Sequence, residues 1–193
     1  MQFNQHRNLE GLHATFGPSQ SSWLRYDDEK ALEVYANKKA AQMGTRLHAW
    51  AKETIDLGIK QPQPRKATQH STLYLYVNDA IGFKMDTEVV LFYSDKFFGT
   101  ADAISFRDRM LRIHDLKTGK VGTPESHIEQ LEIYAALFCL EYRVKPHDIN
   151  MELRVYKNSE VVVHNPKPED IVDIMNRIVE LNKLLEKVEY EEG

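Results

Sequence analysis

Residues 97–117 read FFGTADAISFRDRMLRIHDLK, two apolar runs broken by Arg107-Asp108-Arg109, and the reading of this stretch decides the fold. Phe97 to Phe106 and Met110 to Leu116 have the aromatic and aliphatic content of short strands, and the charged triplet between them is a turn signal. With Asp108-Arg109 as a two-residue loop, Arg107 opposes Met110 and, further along, Asp102 opposes Asp115. Directly opposed side chains have Cβ atoms about 4.5–5.5 Å apart, so two carboxylates placed this way repel each other unless a cation or water lies between them. Alternation along the second strand puts Lys117 on the face of Asp115. Asp102 lies among Phe97, Phe98, Ala101, Ala103 and Ile104, and Asp115 beside Ile113 and Leu116. These flanks predict partial burial, where an unpaired carboxylate is costly.

Outward from this hairpin, Glu88 to Tyr93 adds a third strand across Ser94-Asp95-Lys96, giving an antiparallel meander. Upstream, Gly17-Pro18-Ser19 breaks the chain, and Ser19 or Ser21 caps a short helix through Tyr26. A long helix follows from Asp27 or Asp28 to about Leu57, ended by Gly58 and the segment Pro62-Gln63-Pro64. Leu73, Tyr74, Val77 and Ile81 mark a second helix over about 70–81. Downstream, Thr123-Pro124-Glu125 opens a helix to about Tyr142, with Pro124 favourably placed in the first turn. Met151 to Tyr156 and Glu160 to His164 read as two more strands, and Pro168 starts a final amphipathic helix. The order α-α-α-β-β-β-α-β-β-α is that of one α/β folding unit over residues 1–193.

Composition narrows the class. At 42% hydrophobic and 28% charged over 193 residues, the chain can bury a real core, and general disorder is excluded. Apolar runs fall well short of the ~20 residues that span a bilayer, and the polar start lacks the plan of a secretory signal, so a cytoplasmic protein is expected. The single cysteine, Cys139, excludes within one chain a disulfide, a four-cysteine zinc site and a cysteine-ligated iron-sulfur cluster. Its neighbours Phe138 and Leu140 place it where a thiol is usually inert. The formal charge is -4, but residues 169–193 hold eight acids against three bases. Residues 1–168 are then +1, which leaves the body of the chain free to meet a polyanion.

Two carboxylates and an amine on one patch of sheet can bring a hard divalent cation and a fixed positive charge to one phosphodiester. Taken alone, the same residues also suit solvated strand charges. His48, beside Leu47 and Trp50, also suits a packed helix stripe, and Tyr134 an amphipathic core. Arg107, Arg109 and Arg112 are most simply solvated, and His114 and His127 surface or structural. Lys117-Thr118-Gly119-Lys120 is not a phosphate loop, since the first glycine and the closing Ser/Thr are missing.

Four ordered motifs carry more weight together. Gly44-Thr-Arg-Leu-His48 lies on a helix, Gly99-Thr-Ala-Asp102 on a strand, Asp115-Leu-Lys117 on the next strand, and Gln130-Leu-Glu-Ile-Tyr134 on the following helix. This set resembles the RecB-like branch of the PD-(D/E)XK nuclease superfamily, with one extra residue before His48 and Gly-Thr-Ala-Asp in place of Pro-Asp. The match covers about residues 19–156. The resemblance implies a restriction-endonuclease-like core (αβββαβ), a central mixed sheet flanked by helices. It makes His48, Asp102 and Asp115 ligands of Mg²⁺ or Mn²⁺, with the Leu116 carbonyl a further ligand, Glu88 a looser candidate, and Asp102, Asp115 and Lys117 the catalytic set. Gln130 and Tyr134, one helical turn apart, would contact nucleic acid, and Lys120 is well placed to meet a phosphate. No iron-sulfur cluster is implied. The expected activity is that of a metal-dependent deoxyribonuclease, an exonuclease by its Gln-x-x-x-Tyr motif, acting on DNA ends or single strands in recombination, repair or phage DNA metabolism, with recruitment by DNA ends or a protein partner. Two alternatives stay open: a non-catalytic nucleic-acid-binding or assembly protein on this fold, and a dimeric restriction-like endonuclease.

Overall fold

The computed structural model describes residues 21–62, 69–119 and 123–192. The chain falls into two compact units, Met1–Arg46 and Leu47–Gly193. The whole sheet belongs to the second unit. A short 3₁₀ helix (Ser21–Arg25) precedes α1 (Asp28–Asp56). Then come α2 (Gln69–Gly82), β1 (Asp86–Ser94), β2 (Phe97–Arg107), β3 (Met110–Lys117), α3 (Ile128–Tyr142), β4 (Asn150–Lys157), β5 (Glu160–His164) and α4 (Pro168–Glu192). Among the described residues no helix is long and apolar enough to cross a membrane.

The five strands form one sheet in sequence order. All neighbours are antiparallel except β3 and β4, which run parallel. Parallel neighbours need a long crossover, and α3 supplies it, packing against β1 to β4 on one face. Leu131, Ala135, Leu137 and Phe138 of α3 meet Leu91, Ile113, Leu153 and Val155 of the sheet there, with Ile171 and Ile178 of α4 completing that core. The opposite face is covered by α2 and the last turns of α1, through Ala51, Ile55, Tyr76, Val77, Leu116 and Tyr156. The protein is thus an α/β structure with a five-stranded mixed sheet flanked by helices.

The hairpin has the expected loop. Arg107 pairs with Met110, and Asp108 and Arg109 take φ of +51° and +60°, the paired left-handed conformation that joins twisted strands in two residues. Two local features differ from expectation. Pro124–His127 forms a 3₁₀ turn before α3, since His127 at φ -105°, ψ -3° departs from regular helix geometry and the α-helical bonding starts at Ile128. In addition, β2 does not alternate evenly. A Cβ on Gly99 would point at Tyr134 of α3, while Phe106, seven residues on, also packs against α3, 5.1 Å from Phe138. An odd separation on one face requires one phase slip. It lies at Glu88, which has φ +53° within β1 and stands opposite Asp102, between the pairs Thr87–Ala103 and Val89–Ala101.

Candidate active site

The slip sets the site. α1 is tied to β1 where Thr87 donates to Asp56 at 2.7 Å and Lys52 donates to Thr87 at 3.3 Å. His48 is one turn before Lys52 on the same helix face, so it arrives over Glu88. Donor atoms of His48, Glu88 and Asp102 all lie within 4.8 Å of one another. His48 Nδ1 is 3.6 Å from Asp102 Oδ2. The side chains of His48 and Asp102 are 30% and 19% exposed and Glu88 is exposed, so the group opens to solvent on the Glu88 side.

Asp102 also binds the neighbouring strand. The β2–β3 ladder ends at Ala103–His114, one position short of Asp102 and Asp115, while β3 stays paired with β4 along its other edge as far as Lys117. The freed Leu116 N–H donates to Asp102 Oδ2 at 2.9 Å. The carboxylates of Asp102 and Asp115 are therefore neighbours without a closed strand pair between them. Burial first, and then the Asp115 charge, push the Asp102 carboxyl up to about 6, against the Leu116 N–H and His48, which pull it down. Tyr76 on α2 senses the same negative field: burial, followed by Asp102, Asp115 and Glu88, holds its hydroxyl well above the usual range.

Asp115 is not one of the three clustered ligands. It is almost fully buried, its Oδ1 lies 3.1 Å from Lys117 Nζ, and its Oδ2 is buried with no partner. Lys117, 24% exposed, also donates to Gln130 Oε1 at 2.9 Å, and the Gln130 amide donates to the Tyr134 hydroxyl at 3.3 Å. The polar line has two parts, His48 with Asp102 and the Leu116 N–H, and Asp115 with Lys117, Gln130 and Tyr134, which adjoin through the backbone of β3 at Leu116.

The expected residues are placed as follows. His48, Asp102 and the loosely matched Glu88 come together; Asp115 and Lys117 pair beside them; Gln130 and Tyr134 extend the line. What Leu116 contributes here is its N–H. Lys120 lies outside the described residues. Two residues join that sequence reasoning did not single out. Half-buried His127 has its Nε2 without a partner, and burial, followed by the charges of Lys117 and Lys157, lowers its pKa. Lys157, at the end of β4, is 2% exposed. A lysine closing a strand before Asn158-Ser159 reads as a surface charge, and no local signal distinguishes it.

Gly99 gains a physical role from Tyr134. A Cβ there would sit 2.8 Å from Tyr134 Cε1, so the glycine of one motif makes room for the tyrosine of another. Gly99→Ala is expected to displace that ring and cost about 1–3 kcal/mol, as overpacking does. A lowered urea midpoint at unchanged slope would register it, and an unchanged midpoint would refute the contact.

Fold and site together define a class: an α/β protein in which a helix histidine meets two carboxylates of a mixed sheet beside a buried Asp–Lys pair. Residues 80–188, more than half of the chain, match the family described as Protein of unknown function (DUF2800), and the chain belongs to that family. The matched span holds Glu88, Asp102, Asp115, Lys117, Gln130 and Tyr134, and leaves His48 outside it. No curated protein and no solved structure matches the chain.

Proposed function

We propose that this protein is a Mg²⁺- or Mn²⁺-dependent deoxyribonuclease, an exonuclease on DNA ends or single strands. On this reading the order from α2 through β4 is the αβββαβ core of a restriction-endonuclease-like fold. One observation carries it. Four short motifs between residues 44 and 134 supply the side chains of two adjoining polar groups, which meet where the Leu116 N–H donates to Asp102.

The donor set suits a hard divalent cation, having carboxylate oxygens and one imidazole. The buried, partnerless Asp115 Oδ2 points the same way. Leaving such an atom unsatisfied costs about 1–3 kcal/mol or more, a penalty that a cation beside Asp102 and Asp115 would offset. His48, Glu88, Asp102 and Asp115 are the residues that would hold it, with the Leu116 carbonyl. Once bound, it would supply Lewis acidity at a phosphoryl oxygen. Asp102 and Asp115 would orient water for attack at phosphorus. Lys117 would place its ammonium where negative charge grows in the transition state, held by Asp115 and Gln130 so that little reorganisation is needed. Tyr134 and Gln130 would face the nucleic acid next to the scissile bond.

The test is degradation of linear and closed circular DNA with Mg²⁺, Mn²⁺ or EDTA. Loss of linear DNA only, dependent on metal, is the expected outcome. Cutting of the circle would favour a restriction-like endonuclease instead, and binding without degradation under either metal would make the protein a nucleic-acid-binding module.

A further inference from the structure

We propose that Lys157 is a positioning residue for Lys117, an inference that rests on the nuclease reading above. Lys157 closes β4 directly beside Lys117 at the end of β3, the two being partners in parallel register. Side chains of such partners leave the same face of the sheet, from strands about 4.8 Å apart. Their surroundings differ. Lys117 is 24% exposed and so can meet a substrate, whereas Lys157 is 2% exposed and cannot.

The Lys157 ammonium donates to the Gly119 carbonyl at 2.8 Å. That carbonyl belongs to the exit from β3, two residues past Lys117, where Thr118 and Gly119 are both exposed. Among the described residues no carboxylate forms an ion pair with Lys157. Burying an ammonium against a carbonyl is unfavourable compared with an apolar residue of the same length, so Lys157 contributes something here that methionine would not. Lys117 is held at its ammonium by Asp115 and Gln130, and Lys157 holds the backbone immediately after it. The Lys157 ammonium also adds positive charge on the face of the sheet from which Lys117 projects. The same charge reaches His127, whose imidazole both lysines disfavour protonating.

The experiment compares wild type, Lys157→Met and Lys157→Gln for steady-state degradation of linear DNA, with hydrogen exchange and thermal unfolding on the same samples. Lys157→Met is expected to lower kcat roughly 10- to 100-fold, the range for residues that orient a catalytic group, with KM within about twofold. The peptide ending at Gly119 should exchange faster while α4 is unchanged. Lys157→Gln, which keeps an N–H donor, should recover part of the loss in kcat. Wild-type kcat in Lys157→Met overturns this inference alone. So does a common collapse of kcat, KM and melting temperature in both variants, which would make Lys157 a general packing residue. No degradation by the wild type overturns the nuclease reading, and this inference with it.

Discussion

Lys117→Ala is expected to reduce DNA hydrolysis about a thousandfold, the size of effect seen when a preorganised charge is removed from a developing oxyanion. The variant also leaves a mark on stability. Lys117 is the ion partner of Asp115, whose other oxygen has none, and removing one member of a buried pair strands the other. Because Lys117 is partly solvent-exposed, the loss is discounted to about 1–2 kcal/mol. Rates must therefore be read well below the melting temperature. A double variant, Lys117→Ala with Asp115→Asn, separates the two effects. It should regain most of the stability, since no charge is then left unpaired, and none of the turnover. Initial rates on linear DNA with Mg²⁺, beside urea unfolding in EDTA, measure both. A Lys117→Ala protein that degrades DNA as fast as wild type would sink the catalytic role.

Much of the framework around this pair is legible from local chemistry. The Arg107-Asp108-Arg109 break between apolar runs marks the hairpin, and the register it implies runs from Arg107–Met110 to Ala103–His114 in the structure. Its continuation to Asp102 and Asp115 does not close, and the Leu116 N–H donates to the Asp102 carboxylate there. A turn signal extends the ladder uniformly and does not foresee a side chain, here Asp102, that takes up a backbone N–H of the facing strand. The phase slip at Glu88 is hidden for another reason. Left-handed backbone is signalled by glycine or asparagine, and a glutamate at φ +53° carries no such mark. Period-two reasoning consequently puts Asp102 and Asp115 on one face as a simple pair, while the slip gathers Asp102 with Glu88 and His48 instead. Glu88, the loosest match to the motif pattern, is thereby drawn into the centre. Burial of Lys157 depends on the parallel β3–β4 pairing and on the path of the chain after Lys117, both of which are long-range.

Asp102→Asn is expected to make the protein inert and, in EDTA, more stable. Asp102 touches both His48 and the Leu116 N–H and feels the charges of Asp115 and Glu88. An asparagine keeps an oxygen to accept from Leu116 and gives up the anion. With the carboxyl raised from 3.8 to about 6, the folded state between roughly pH 4 and 6 retains a proton that the unfolded chain has already released. Stability therefore falls as pH rises through that window, and the full penalty, on the order of 3 kcal/mol, is present above about pH 6. Asp102→Asn removes this dependence. At pH 7.5 in EDTA its melting temperature should rise by roughly 2–8 °C, allowing for a weaker hydrogen bond from Leu116, and the gap from wild type should close as pH falls toward 4. Adding Mn²⁺ should reverse the order. Binding to the folded state alone stabilises in proportion to RT ln(1 + [L]/Kd), so wild type gains while the variant, short of a ligand charge, gains little. Its hydrolysis rate should drop at least about a thousandfold. The same carboxylate then costs stability in the bare protein and repays it when a cation is bound, which is the thermodynamic signature of a site shaped for charge it does not itself contain. A variant less stable than wild type in EDTA, or one equally stabilised by Mn²⁺, would show that the Asp102 carboxylate is structural.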